Sequence, residues 1–166
     1  MFELKTLSVE ALPAALEKAE RYRLLNEPEL AESICLDILE VQPENQSALR
    51  LLLLARTDQF GQGNPADLER AREVIPRLTN EYERAYYGGL ICERQAKALL
   101  QRRGRRTGTV AFEWFRFAME QYEVASESRP PGNDEALLRW NTCARMIRRY
   151  RLRAPDPEER GDLGIE

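Results

Sequence analysis

The chain has 166 residues, 43% hydrophobic and 32% charged, with nine glycines and nine prolines, enough apolar material for a packed domain. It contains no histidine, which excludes Ser-His-Asp and Cys-His catalysis and removes the commonest metal ligand. No apolar run approaches the roughly 18 residues of a membrane helix, and Met1 to Glu10, with acidic residues and no apolar run behind basic ones, does not read as a secretory signal.

Helical spacing dominates up to about residue 151. Leu12, Ala15, Ala19 and Tyr22 form the first apolar stripe, ending near Asn26. Pro28 suits the first turn of a second helix, which runs to about Val41 with Ala31, Ile34, Cys35, Ile38 and Leu39 apolar. Pro43-Glu44-Asn45 breaks the chain, and Asn45 can cap a third helix, about 46–59. Asn64 and Pro65 open a fourth, with Leu68, Ala71 and Ile75 inward and Pro76 kinking or shortening its end. Asn80 and Glu83 resemble a capping box before a long fifth helix, about 81–103, which Gly104 ends. After a polar loop, a sixth helix covers about 110–127 and stops at Pro130-Pro131-Gly132. Asn133 caps a seventh, about 134–151, and Pro155 and Pro157 open an acidic tail expected to be disordered. The class expected is all-α, built of helical hairpins.

The net charge of −3 is unevenly spread. Residues 1–93 carry 10 basic and 17 acidic side chains, residues 94–153 carry 14 and 6, and residues 154–166 carry 1 and 5. Cys35, Cys92 and Cys143 are far apart, odd in number and set in apolar stripes. They read as buried small hydrophobes in a reducing cytoplasm.

Self-comparison shows a repeat. Ala31, Cys35, Ile38 and Pro43 recur, at spacings of four, three and five, as Ala118, Tyr122, Ala125 and Pro130. The segment Ile38 to Asn45 followed by Ala48, and the segment Tyr86 to Gln95 with Gly89 as its small residue, resemble tetratricopeptide units. The resemblance covers about residues 12–150. It implies a right-handed superhelical array of antiparallel hairpins, about three units plus a C-terminal capping helix, in one domain spanning 1–153 with the tail at 154–166. Small residues (Ala19, Gly89, Ala31, Ala71, Ala118) would let helices approach, large ones (Tyr22, Tyr122) would fill gaps, and stacking would cover the faces no hairpin buries alone.

The same resemblance implies a concave groove holding a peptide or helix of another protein. Its lining would include Glu20, Arg23, Arg50, Leu54, Asp58, Tyr86, Leu90, Arg94 and Arg145, with Leu16, Thr57 and Glu93 beside them. Tyr86, Arg50 and Arg94 are the foremost contacts, since Tyr and Arg dominate interface energetics. Members that grip acidic chaperone tails use Lys, Asn, Asn, Lys and Arg; the matching places hold Leu16, Glu20, Leu51, Glu83 and Tyr87, which disfavours that subfamily.

Two other features need a reading. Phe112, Trp114, Phe115, Phe117 and Tyr122 crowd the sixth helix. Ala111, Phe115, Ala118, Tyr122 and Ala125 form one stripe, and Val110, Trp114, Phe117 and Val124 a second. Burial of both is the plainer expectation; the alternative leaves Trp114 and Phe117 as a patch for self-association or docking on a larger complex. The basic clusters Arg102, Arg103, Arg105, Arg106 and Arg145, Arg148, Arg149, Arg151, Arg153 sit at expected helix ends, which favour cations. Nucleic-acid contact through them is a second alternative, disfavoured by an overall pI of about 5.3 and the lack of a recognised motif. They could also meet an acidic protein or the chain's own tail. Gly61-x-Gly63 lacks the context of a phosphate loop, so neither catalysis nor a cofactor is expected. The function expected is a non-catalytic, cytoplasmic adaptor or scaffold that binds protein.

Overall fold

Spacings of three and four residues between apolar side chains become helix, and the caps lie where polar side chains can reach free backbone N–H groups. The computed structural model describes residues 1–102, 104 and 107–156, and among them seven helices and no strand. Helix α1, Leu12–Leu24, has Pro13 in its first turn and ends at Asn26, whose φ of 61° is left-handed. The Glu27 N–H then returns to the Tyr22 carbonyl at 2.9 Å, closing the orphan carbonyls. Pro28 starts α2, Pro28–Val41. Asn45 Oδ1 accepts the Ala48 N–H at 3.0 Å to start α3, Gln46–Asp58. Helix α4, Ala66–Arg72, is shorter than the sequence suggests. Pro76, which has no N–H to donate, lies in a separate 3-10 turn over Ile75–Arg77.

Helix α5, Glu81–Gln101, begins where Asn80 Oδ1 accepts the Glu83 N–H at 3.1 Å. Helix α6, Thr107–Glu127, starts three residues earlier than expected, because Thr107 Oγ1 donates to the Gly104 carbonyl at 2.9 Å and closes the turn. Before α7, Glu135–Arg149, Asn133 Oδ1 accepts the Glu135 N–H at 3.1 Å. That helix ends through Arg151 at φ 51°, with the Leu152 N–H on the Ile147 carbonyl at 3.0 Å and Leu152 folded onto the core. Arg103, Arg105, Arg106 and residues 157–166, which include most of the expected tail, lie outside the described residues.

The chain divides into two compact units, Met1–Thr79 and Asn80–Glu166. In the first, α1 packs on α2, α2 on α3 and α3 on α4, and α1 also touches α3. Ala19 and Ala31 are fully buried, where small side chains let helices approach, and Cys35, Ile38, Leu49, Leu52 and Leu53 fill the interior. The segment after α4 is tied back by Gln46, whose Oε1 accepts the Thr79 N–H at 3.0 Å, and by Arg77, which donates to the Pro43 carbonyl at 2.8 Å.

The second unit is the α5–α6 hairpin with α7 packed on α6. Its core is the expected α6 stripe, Ala111, Phe115, Ala118, Tyr122 and Ala125, with Tyr82, Ala85, Ala96, Ala136 and Cys143. Phe115 and Tyr122 are fully buried, each contributing about 1.5–3 kcal/mol of apolar burial. Gly89 sets the spacing of the hairpin. A Cβ there would lie 2.7 Å from Tyr122 Cε1 and 3.1 Å from the Ala118 carbonyl, closer than packing allows. At Gly88 a Cβ would meet only the Gln121 Oε1, at 3.3 Å, the end of a flexible side chain. Gly89→Ala should therefore lower stability by about 1–3 kcal/mol through overpacking. Gly88→Ala should be neutral or raise it by up to about 1 kcal/mol, as helix propensity favours alanine. Urea midpoints of the two variants check the contrast.

Candidate functional site

In each unit the most deeply buried glutamate is almost wholly withdrawn from water. Glu32 on α2 is 6% exposed. Its Oε1 accepts from Arg56 Nε at 2.9 Å and from Arg70 Nη2, and its Oε2 accepts from Gln59 Nε2 at 2.8 Å. Arg56 also donates to the Arg70 carbonyl, and Arg70 pairs with buried Asp67 at 3.2 Å. One carboxylate thus joins α2, α3 and α4. Burial alone would raise its pKa, but the Gln59 and Arg56 hydrogen bonds and the Arg70 and Arg56 charges together outweigh burial and hold it below the ordinary 4.5.

Glu93 on α5 is 0% exposed. Its Oε2 accepts from the Tyr122 hydroxyl at 2.7 Å, and its Oε1 accepts from Arg139 Nη1 at 3.2 Å and from Lys97 Nζ. This carboxylate joins α5, α6 and α7. Burial, then the charge and hydrogen bond of Glu93, drive the Tyr122 pKa far above its ordinary value, so the hydroxyl stays a donor. Burial works to lower the Arg139 pKa, but a Tyr86 side-chain hydrogen bond and the Glu93 charge raise it, fixing the guanidinium as a cation. Burial, with Glu32 or Glu93 nearby, pushes the Cys35 and Cys143 thiols up to about 12. Such thiols are inert small hydrophobes near neutral pH.

The residues expected to line a groove are placed unequally. In the first unit Glu20 is exposed, Arg50 and Leu54 are half-buried, and Arg23 Nε lies 2.8 Å from Asp58 Oδ2. Arg23 stands on α1 and Asp58 on α3, so the pair bridges these two helices. Arg50 Nη2 donates to Ser47 Oγ at 3.0 Å. Thr57, expected on the same face, is buried, and its hydroxyl donates to the Leu54 carbonyl at 2.8 Å.

In the second unit the expectation needs correction. Leu90 is 1% exposed and, like Glu93, offers no surface to a partner. The reason is that α5 is buried on more than one side: Ala85, Gly89, Glu93 and Ala96 line one, and Leu90, Ile91 and Ala98 run round to the opposite one. Tyr86 is half-buried in an aromatic stack, 5.7 Å from Tyr82, 5.2 Å from Tyr87 and 5.9 Å from Tyr122 between ring centroids. That packing makes its main work structural. Arg94 is half-buried and Arg145 exposed.

Trp114 and Phe117 are half-buried and pack edge to face at 6.1 Å. The Arg116 guanidinium covers Phe117 at 4.8 Å from the ring centroid. Arg102, Arg148 and Arg149 are exposed, and Arg149 lies 5.7 Å from the Tyr150 ring centroid. Among the described residues no group of three or more Cys, Asp or Glu could hold a metal ion, and no helix is long and apolar enough to cross a membrane. No protein-family model, curated protein or solved structure matches the chain.

Neither Glu32 nor Glu93 stood out in the sequence as a buried acid, although a signal existed. Glu93 interrupts the stripe Tyr82, Ala85, Gly89, Ala96, and Glu32 lies one turn before Cys35 and two before Leu39. An acid on an apolar stripe, with arginines on neighbouring helices, marks a buried ion pair.

The depressed pKa of Glu32 has a consequence for acid stability. The unfolded carboxyl takes up a proton at a higher pH than the folded one. Its contribution is therefore present above the ordinary value of 4.5 and is lost as pH falls through the lower folded value. Thermal midpoints measured from pH 7 to pH 3 should fall for the wild type. Glu32→Gln should start lower at pH 7, and its midpoint should fall less steeply over that range.

Proposed function

We propose that the chain is a non-catalytic protein-interaction module, a tetratricopeptide-like array of helical hairpins that holds a peptide or helix of another protein. The binding face proposed lies along α1 and α3, with Glu20, Arg50 and Leu54 on it. The observation that supports the reading is the Arg23–Asp58 pair at 2.8 Å, which links α1 to α3, the helices that would open two successive hairpins. In arrays of this kind, such helices line the partner-binding surface.

Three features support the rest of the proposal. The small residues Ala19, Ala31 and Ala118 are fully buried, and Gly89 lies against Tyr122, as stacked hairpins require. The buried acids commit their oxygens to fixed donors, which suits scaffolding better than proton transfer. Three free cysteines suit a cytoplasmic setting.

A peptide display library selected on the wild-type chain tests the reading. Arg50→Ala with Leu54→Ala should weaken the selected peptides by about ten-fold or more, as expected for contact residues, while the thermal midpoint stays within a few degrees of wild type. Equal retention by the folded double variant would contradict the proposed face.

A further inference from the structure

Among the described residues, helices α2 and α7 each leave one face unpartnered, and the two faces are complementary. On α2 the outward row begins with Leu30, 47% exposed, and continues through Ile34 to Asp37 and exposed Glu40. This row borders a cavity of about 330 Å³, lined by Leu7, Ala15, Tyr22, Leu30, Ile34 and Asp37 among others. On α7 the outward row begins with Leu138, 58% exposed and flanked by exposed Leu137, and continues to exposed Arg145 and Arg148. Both rows are apolar at the start of the helix and charged at its end.

The signs are opposite. Helix α2 contains Glu29, Glu32, Asp37 and Glu40 and no basic residue; α7 contains Arg139, Arg145, Arg148 and Arg149 against Glu135 alone. Of these, Glu32 and Arg139 are used inside their own units. Asp37, Glu40, Arg145 and Arg148 have no ion-pair partner among the described residues.

The spacing also matches. Leu30, Asp37 and Glu40 are separated by seven and three residues, as are Leu138, Arg145 and Arg148. Seven residues make about two turns, roughly 10.5 Å of helix. Two parallel helices laid side by side would therefore set Leu138 against Leu30, Arg145 against Asp37 and Arg148 against Glu40 in one register.

We propose that α7 of one chain docks along the outer face of α2 in a second copy, with Leu137 and Leu138 at the Leu30–Ile34 cavity and the arginines on Asp37 and Glu40. The occupant is a second copy because this chain itself carries the face of matching spacing and opposite charge. The two surfaces differ, so the contact is head to tail: the copy that offers α7 keeps its α2 face free, and the copy that offers α2 keeps its α7 face free. Assembly then grows with concentration and weakens with salt.

Sedimentation or light scattering of the full chain, read against concentration and salt, tests this. The molar mass of the wild type should rise with concentration at low salt and fall as salt is added. Arg145→Glu with Arg148→Glu, or Asp37→Arg with Glu40→Arg, sets like charges face to face, and each should weaken association by about ten-fold or more. All four positions lie at the surface, and helical circular dichroism verifies folding. Mixing the two reversed chains, or combining all four changes in one chain, should restore association. Association unchanged by either reversal, a mixture that stays monomeric, or a wild type that is monomeric at millimolar concentration in low salt would each overturn the proposal. So would arginine-dependent binding of a random-sequence oligonucleotide with no change in chain mass. Arg50 and Leu54 are untouched by these variants, so the result is independent of the peptide-binding face.

Discussion

A carboxylate removed from water must be met by fixed donors, and this constraint organises both units. Unpaired, such a group costs several kcal/mol; paired with good geometry, it ties together every helix that supplies a donor. Glu32 is met from α3 and α4, Glu93 from α5, α6 and α7. Apolar burial gives each unit its bulk stability but little direction, since oily faces slide over one another at modest cost. The glutamates add direction, because their donors fit in one helix register. Gly89 is part of the same arrangement: without a side chain it lets the Tyr122 ring lie against α5, and the hydroxyl of that ring reaches Glu93.

Once these charges are satisfied inside, the surface is free for other purposes. Arg139 and Arg145 show the division on a single helix. One points inward to Glu93 with a raised pKa, and the other is exposed. Tyr86 makes the same point for aromatics. A tyrosine on a first helix resembles a partner contact, yet this one packs against three other tyrosines. The surfaces proposed for recognition are the α1/α3 face and the outer rows of α2 and α7.

The helices were legible from local chemistry. Asn45 and Asn80 cap, Pro28 starts a helix, Pro76 shortens one, and the Ala111 to Ala125 stripe is the core it appeared to be. These features depend on residues within a turn or two of one another, so the sequence displays them directly. The early start of α6 at Thr107 was hidden because one side-chain bond to Gly104 decided it. The buried glutamates were harder, since their meaning depends on donors up to 46 positions away, as with Arg139 and Glu93. Leu90 failed for a related reason: a helix stripe shows which side is apolar but not how wide the buried sector is.

The most direct test of the central claim is residue-resolved amide hydrogen exchange of a Glu93→Gln variant beside the wild type. If the carboxylate holds α7 in place, amides of residues 139–149 should exchange at least about ten-fold faster in the variant, with a much smaller change in the middle of α5 and α6. Uniform acceleration across all three helices, or no change in α7, would contradict the idea that Glu93 fixes that helix against the hairpin.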